Sequence, residues 1–201
     1  MGWYTDELLV PVTPKALQYI KSDIQLQKFA YFIPHLDEYD WYSSNHKHNV
    51  PKEGLIIIRP VCSGSDKYAN KYRDAFLDFD YLITNEKNID SLSDITGKIV
   101  PETPLITQEF REFLVSFSRK IETPVLYYSM SSWGGTLDYE LSFLYQPEER
   151  LFSSPTHFEP VDPDKHENAL IEGLAGIGIT TLGYFAPHER SFEWDRYRLV
   201  G

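Results

Sequence analysis

Asp138 and Glu140 stand two positions apart in "SSWGGTLDYELSFLY", a stretch of alternating polar and apolar residues that follows a tryptophan and two glycines. Residues at that spacing on a strand share one side, about 7 Å apart. Two carboxylates so placed suit two kinds of chemistry. They can share an acid–base task, as in glycoside hydrolysis, where the carboxyl separation selects the stereochemical route. They can also attract a cationic group, with aromatic rings beside them supplying apolar contact.

The double glycine sets the expected geometry. Gly134-Gly135 suits a two-residue hairpin turn, which needs positive φ. That turn puts Trp133 opposite Thr136, Ser131 opposite Asp138, Ser129 opposite Glu140 and Tyr127 opposite Ser142. One face then collects Leu126, Tyr128, Met130, Leu137, Tyr139, Leu141 and Phe143 as core. The other collects Tyr127, Ser129, Ser131, Trp133, Asp138 and Glu140, with Ser142. The first six of these are the candidate partner-binding surface. The ordinary role of such a face is a solvated hairpin exterior, because antiparallel sheets commonly keep one side wet.

Other groups offer less. "HLDEYDWYSSNHKH" gathers His35, Asp37, Glu38, Asp40, His46 and His48, all suitable for zinc, manganese or iron, but at no established metal spacing. No metal and no cofactor is expected. Cys62 follows the apolar run "LIIIRPV", a position that suits a nucleophile, although a buried inert thiol is the commoner outcome. "HENAL" and "HERSF" begin like zinc-protease helices and lack the second histidine. Gly173, Gly176 and Gly178 follow a helix instead of preceding one, so they read as helix termination and close packing, not as a phosphate loop. Arg190, Arg196 and Arg198 lie among aromatics and are expected to stack or pair within the fold.

The elements that must carry these residues are legible in part. "TPKALQYIKSD" reads as a short helix with Thr13 as cap, Pro14 in its first turn and an apolar stripe of Leu17, Ile20 and Ile24. "LQKFAYFIP" is ambiguous, and "GLIIIRPV" is a buried strand. "SDKYANKYRDAFLDF" reads as a helix, and residues 85–104 as a weakly structured connection. "TQEFREFLVSFSRKI" is the clearest helix, with Phe110, Phe113, Leu114, Phe117 and Ile121 on one stripe and Thr107 as its cap. "DKHENALIEGLAG" is another, with Asp164 and Glu167 resembling a capping box. "SFEWDRYRLV" alternates like a last strand. The expected architecture is one α+β domain over 1–201: a mainly antiparallel sheet with a Gly-Gly hairpin and helices packed on one face.

The totals narrow the function. The 201 residues are 42% hydrophobic, which supports a real core, and carry 30 acids against 19 bases, a formal charge of −11. Nucleic acid and anionic membranes call for basic patches, and no run of Lys or Arg appears. The natural partner is cationic: a basic protein, a metal ion or a basic small molecule. A single cysteine fits a reducing compartment, and no apolar stretch approaches the ~20 residues of a membrane span. With no visible signal peptide, a cytoplasmic protein is expected.

"TQEFREFLVSFSRKI", "PVLYYSMSSWGGTLDYELSFLY" and "ENALIEGLAGIGI" together resemble the layout of bacterial immunity proteins that accompany polymorphic toxins: a helix, a Gly-Gly hairpin, then a helix ending in Gly. The resemblance covers about a third of the chain and brings no fixed functional residues. It implies a cytoplasmic protein that binds and blocks one toxin, often a basic nuclease, without catalysis. The alternative is a hydrolase acting on a small polar or sugar-like molecule through Asp138 and Glu140.

Overall fold

The computed structural model describes residues 3–34, 48–49, 53–62, 89–90, 106–133, 136–148, 156–158, 168–181, 185–188 and 192–199. Six strands make one antiparallel sheet in the order β2-β4-β1-β7-β8-β9. They are β1 (Trp3–Pro11), β2 (Ala30–Ile33), β4 (Leu55–Cys62), β7 (Val125–Trp133), β8 (Thr136–Tyr145) and β9 (Thr156–Phe158). Two small pairs lie outside it. β3 (His48–Asn49) pairs with β10 (Thr180–Thr181), and β5 (Ile89–Asp90) with β6 (Ile106–Thr107). Four helices complete the described fold: α1 (Pro14–Ser22), α2 (Ile24–Phe29), α3 (Gln108–Ile121) and α4 (Asn168–Gly176). The class is α+β with an antiparallel sheet, as expected.

Local signals explain the helix boundaries. The Thr13 hydroxyl accepts the Ala16 N–H at 3.0 Å, and Pro14 occupies the first turn of α1, where its missing N–H costs nothing. Asp23 both ends α1 and begins α2. Its backbone turns extended at φ −91°, and its carboxylate accepts the Leu26 N–H at 3.0 Å. That break removes Ile24 from the expected α1 stripe, and it stands 65% exposed. α3 buries Leu114, Val115, Phe117 and Ile121, and its end is marked by Glu122 at φ 53°, ahead of Pro124. The helix expected within 65–79 and the caps Asp164 and Glu167 lie outside the described residues, as do Gly134 and Gly135.

Both faces of the sheet are covered. On one side α1, α2 and α3 pack on Leu8, Val10, Ile56, Ile58, Tyr127, Leu141 and Phe143. On the other, α4 and the chain after it pack on Leu9, Ile57, Leu126, Tyr128, Met130 and Leu144. The expectation of helices on one face thus holds for three of the four described helices. α4 comes close because it presents glycines to the sheet. A Cβ on Gly173 would sit 2.7 Å from both Leu126 Cδ1 and Ser142 Oγ.

The hairpin register differs from the expected one. Trp133 does face Thr136, and Ser132 faces Leu137, but Asp138 is then an extra residue and Ser131 faces Tyr139. From there on the strands run one residue out of the expected pairing: Met130 faces Glu140, Ser129 faces Leu141 and Tyr127 faces Phe143. A bulge of this kind reverses which side of β8 faces which core. It is favoured here because both faces need apolar residues. Tyr127 stacks on Phe143 on one side, at 6.4 Å between ring centroids, while Leu126 meets Leu144 on the other. The tail also departs from expectation. Trp194–Tyr197 is a 3₁₀ turn, not a strand, and among the described residues of the tail only Arg198 makes a bridge, to Tyr31.

Gly173→Ala tests the close approach of α4. Helix propensity alone would gain about 1 kcal/mol, but overpacking against Leu126 and Ser142 costs ~1–3 kcal/mol. A net loss of stability is expected, read as a lower urea midpoint at unchanged m-value.

Candidate functional site

Three residues from distant parts of the chain meet on the α4 side of the sheet: Glu7 in β1, Arg59 in β4 and His188 in a 3₁₀ turn, Ala186–His188. Glu7 lies opposite Tyr128 of β7 and is fully buried. On its other flank the β1–β4 register shifts between Asp6 and Leu8. One extra β4 residue is accommodated there, beside Glu7, and Arg59 belongs to that irregular stretch.

The Glu7 carboxylate is satisfied on both oxygens. Oε1 accepts from Arg59 Nε at 2.7 Å and from the Thr5 hydroxyl at 3.1 Å. Oε2 lies 2.8 Å from His188 Nε2. An ionised carboxylate only accepts, so His188 carries its proton on Nε2. Burial by itself raises the Glu7 pKa. The charges of His188 and Arg59, and the hydrogen bonds they make, more than offset this and lower it from 4.5 to about 2. Ring contacts hold both partners in turn. His188 stacks on Tyr128 at 5.4 Å and meets the edge of Phe185 at 5.0 Å, and Arg59 lies 3.8 Å over the Trp194 ring.

A second carboxylate lies on the same side. Glu140 is buried, and its Oε1 accepts from the Tyr128 hydroxyl at 3.3 Å and from the Leu170 N–H at 3.2 Å. Leu170 is the third residue of α4, so Glu140 does from the sheet what a capping side chain does from within a helix. Ser142 donates to the Ala169 carbonyl at 2.7 Å beside it. On the opposite side of the sheet the Tyr127 hydroxyl donates to Asp6 Oδ1 at 2.7 Å.

The expected contact surface is not one surface. Tyr127 and Ser129 are fully buried against the α1–α3 core, while Glu140 is buried on the other side with Tyr128. The bulge at Asp138 and the second covered face are the reasons. Ser131, Trp133 and Asp138 lie in the paired strands, and the placement of their side chains is outside what is described. Glu140 thus serves α4 and does not line an open carboxylate pair. Of the histidine-rich loop, residues 35–47 are outside the described residues, and His48 pairs through its backbone with Thr181. Among the described residues no group of three His, Cys, Asp or Glu could hold a metal. Cys62 closes β4 through its backbone pairing with Thr5. Arg196 pairs with Glu193, and Arg198 lies over the Tyr31 ring at 5.0 Å, so these two arginines act within the fold as expected; Arg190 is outside the described residues.

Glu7, Arg59 and His188 were not singled out from sequence. The signals were a charge inside each of two apolar runs, "TDELLV" and "LIIIRPV", and a histidine between aromatics in "FAPHERSF". A charge inside a buried strand requires an opposite charge elsewhere. Chemically, the cluster is a lock. A carboxylate held near pKa 2 stays anionic at neutral pH and does not trade protons there. No family model, no curated protein and no solved structure matches the chain.

The depressed Glu7 pKa makes stability depend on acid. The unfolded carboxyl takes up a proton near pH 4.5 while the folded one does so near pH 2. About 3 kcal/mol of stability is therefore present above pH 4.5 and is lost as pH falls towards 2. Urea unfolding across pH 7 to 3 should show about 2 kcal/mol of this loss, the part that falls between pH 4.5 and 3. Glu7→Gln should flatten that part of the profile and cost about 3–5 kcal/mol at pH 7, because it leaves Arg59 buried without a full counter-charge.

Proposed function

We propose that this chain is a non-catalytic binding protein whose acidic surface engages a basic protein in the cytoplasm, in the manner of an immunity protein that neutralises a toxin domain. The observation that carries this reading is the formal charge of −11 on 201 residues. Among the described residues the buried acids are Asp6, Glu7 and Glu140, set against buried Arg59, so the described interior takes up little of the excess. A net charge of that size would attract a cationic partner, speed encounter and select against anionic competitors. Among the described residues no helix is long and apolar enough to cross a membrane, which agrees with this reading.

The hydrolytic alternative loses the geometry that motivated it, because Glu140 is buried and bonded to Tyr128 and to the backbone of α4. The contact surface is not assigned to the face built on Tyr127, Ser129 and Glu140, since these three are interior.

Tagged protein used as bait in its native host at low salt tests the reading. The expected result is one dominant basic partner that elutes as salt rises and whose own activity is blocked at an equimolar ratio. Capture that is indifferent to salt, or turnover of glycoside or ester substrates by the purified chain alone, would contradict it.

A further inference from the structure

We propose that His188 is a proton-responsive latch: as an imidazolium it holds residues 185–188 and 192–199 on the sheet, and its deprotonation releases both stretches together while the six strands stay paired. Both stretches grip the same ion pair. His188 Nε2 lies 2.8 Å from Glu7 Oε2, and the Trp194 ring lies 3.8 Å from Arg59, whose Nε donates to Glu7 Oε1. Phe185 and Phe192 enter one apolar cluster, and Phe192 meets Trp194 and Tyr197 at 4.9 and 5.0 Å. Loss of either grip therefore weakens the other.

The backbone attachment of these stretches to the sheet is slight. Among the described residues, the Leu199 N–H donates to the Ala30 carbonyl at 3.0 Å and Arg198 bridges Tyr31. The His188 N–H stays local, on the Phe185 carbonyl at 2.9 Å. Side chains supply the rest of the hold, as in Arg198 on the Lys28 carbonyl and the Tyr31 hydroxyl. β1 and β7, by contrast, are laddered on both sides. A segment held in this way opens at a lower free energy than the strands beneath it.

The charges explain why a proton decides. Among the described residues, the charged and titratable groups around His188 are Glu7 of β1, Arg59 of β4, Tyr128 of β7 and Glu140 of β8. Glu172 of α4 is exposed, as are Glu193, Asp195 and Arg196 of the tail. Two buried carboxylates thus face one guanidinium on this side, and an imidazolium supplies the second cation. Glu7 is anionic throughout the neutral range, and a guanidinium does not titrate there. Histidine is the member of the set whose ordinary titration falls in that range. Docked, the imidazole faces an anion that favours its charged form; released, it titrates near about pH 6.5. Docking is therefore strongest below that pH and weakens by up to about tenfold per pH unit above it.

The test is amide hydrogen exchange of the native chain from about pH 6 to about pH 8.5, read as protection factors. His188 and Leu199 report the latch, and Leu126 and Tyr127 of β7 report global opening. The expected result is that His188 and Leu199 share one protection factor, below that of the β7 amides, which falls at least about tenfold across the range. His188→Gln keeps an N–H for Glu7 and cannot titrate, so its Leu199 protection should be low and flat. Wild-type protection that is flat overturns the proposal, as does a fall that persists undiminished in His188→Gln. Equal protection at Leu199 and Tyr127 also overturns it, because the tail then opens only with the whole fold. Should His188→Gln fail to fold, the ring signals of His188 in the native chain decide: proton loss must coincide with the fall at Leu199, and a ring already neutral at the acid end of the range overturns the proposal.

Discussion

The ion cluster around Glu7 is the constraint on which the rest of this fold depends. A bare carboxylate in an apolar interior is among the most costly groups a protein can bury. It sits in β1, at the middle of the sheet, and its neutralising partners arrive from β4 and from the chain beyond α4. No arrangement of the sheet that separates these three segments leaves Glu7 satisfied. The cluster thus specifies which strands lie side by side and where the C-terminal segment docks, more than it adds net stability, since an apolar replacement of similar volume could do as well energetically.

The same logic runs through the smaller polar contacts. Glu140 caps α4 from β8, and Asp6 receives the Tyr127 hydroxyl across the other face. Each buried acid thus ties two elements together. The two-sided core makes this necessary, because a central strand with both faces covered has no wet side on which to place a polar residue. The bulge at Asp138 belongs to this scheme. It gives Tyr127, Phe143 and Leu141 to one core and Leu126, Tyr128 and Leu144 to the other, and brings Glu140 to the start of α4.

What could be read from sequence was local. The Thr13 cap with Pro14, the Leu114, Phe117 and Ile121 part of the α3 stripe and the packing glycine Gly173 depend on neighbours a few residues away, and these are found as expected. The β8 register was legible only as far as Leu137, because a bulge is a property of a pair of strands and leaves no mark in either alone. β1 was not assigned at all. Its acids in "TDELLV" break the apolar pattern, and the reasons they are tolerated lie 52 and 181 residues away, in Arg59 and His188. The binding role rests on net charge, which sequence does state, whereas the surface that would carry it does not follow from alternation in one hairpin.

Central to this account is that Glu7, Arg59 and His188 act as one unit. A double-mutant cycle on Glu7→Gln and His188→Phe, followed by urea unfolding at neutral pH, measures that coupling directly. The account predicts an interaction energy of about 1–3 kcal/mol between the two positions, beyond the sum of the single effects. Additive losses, within about 0.5 kcal/mol, would show that the two side chains are merely neighbours and that the sheet is held by its apolar faces alone.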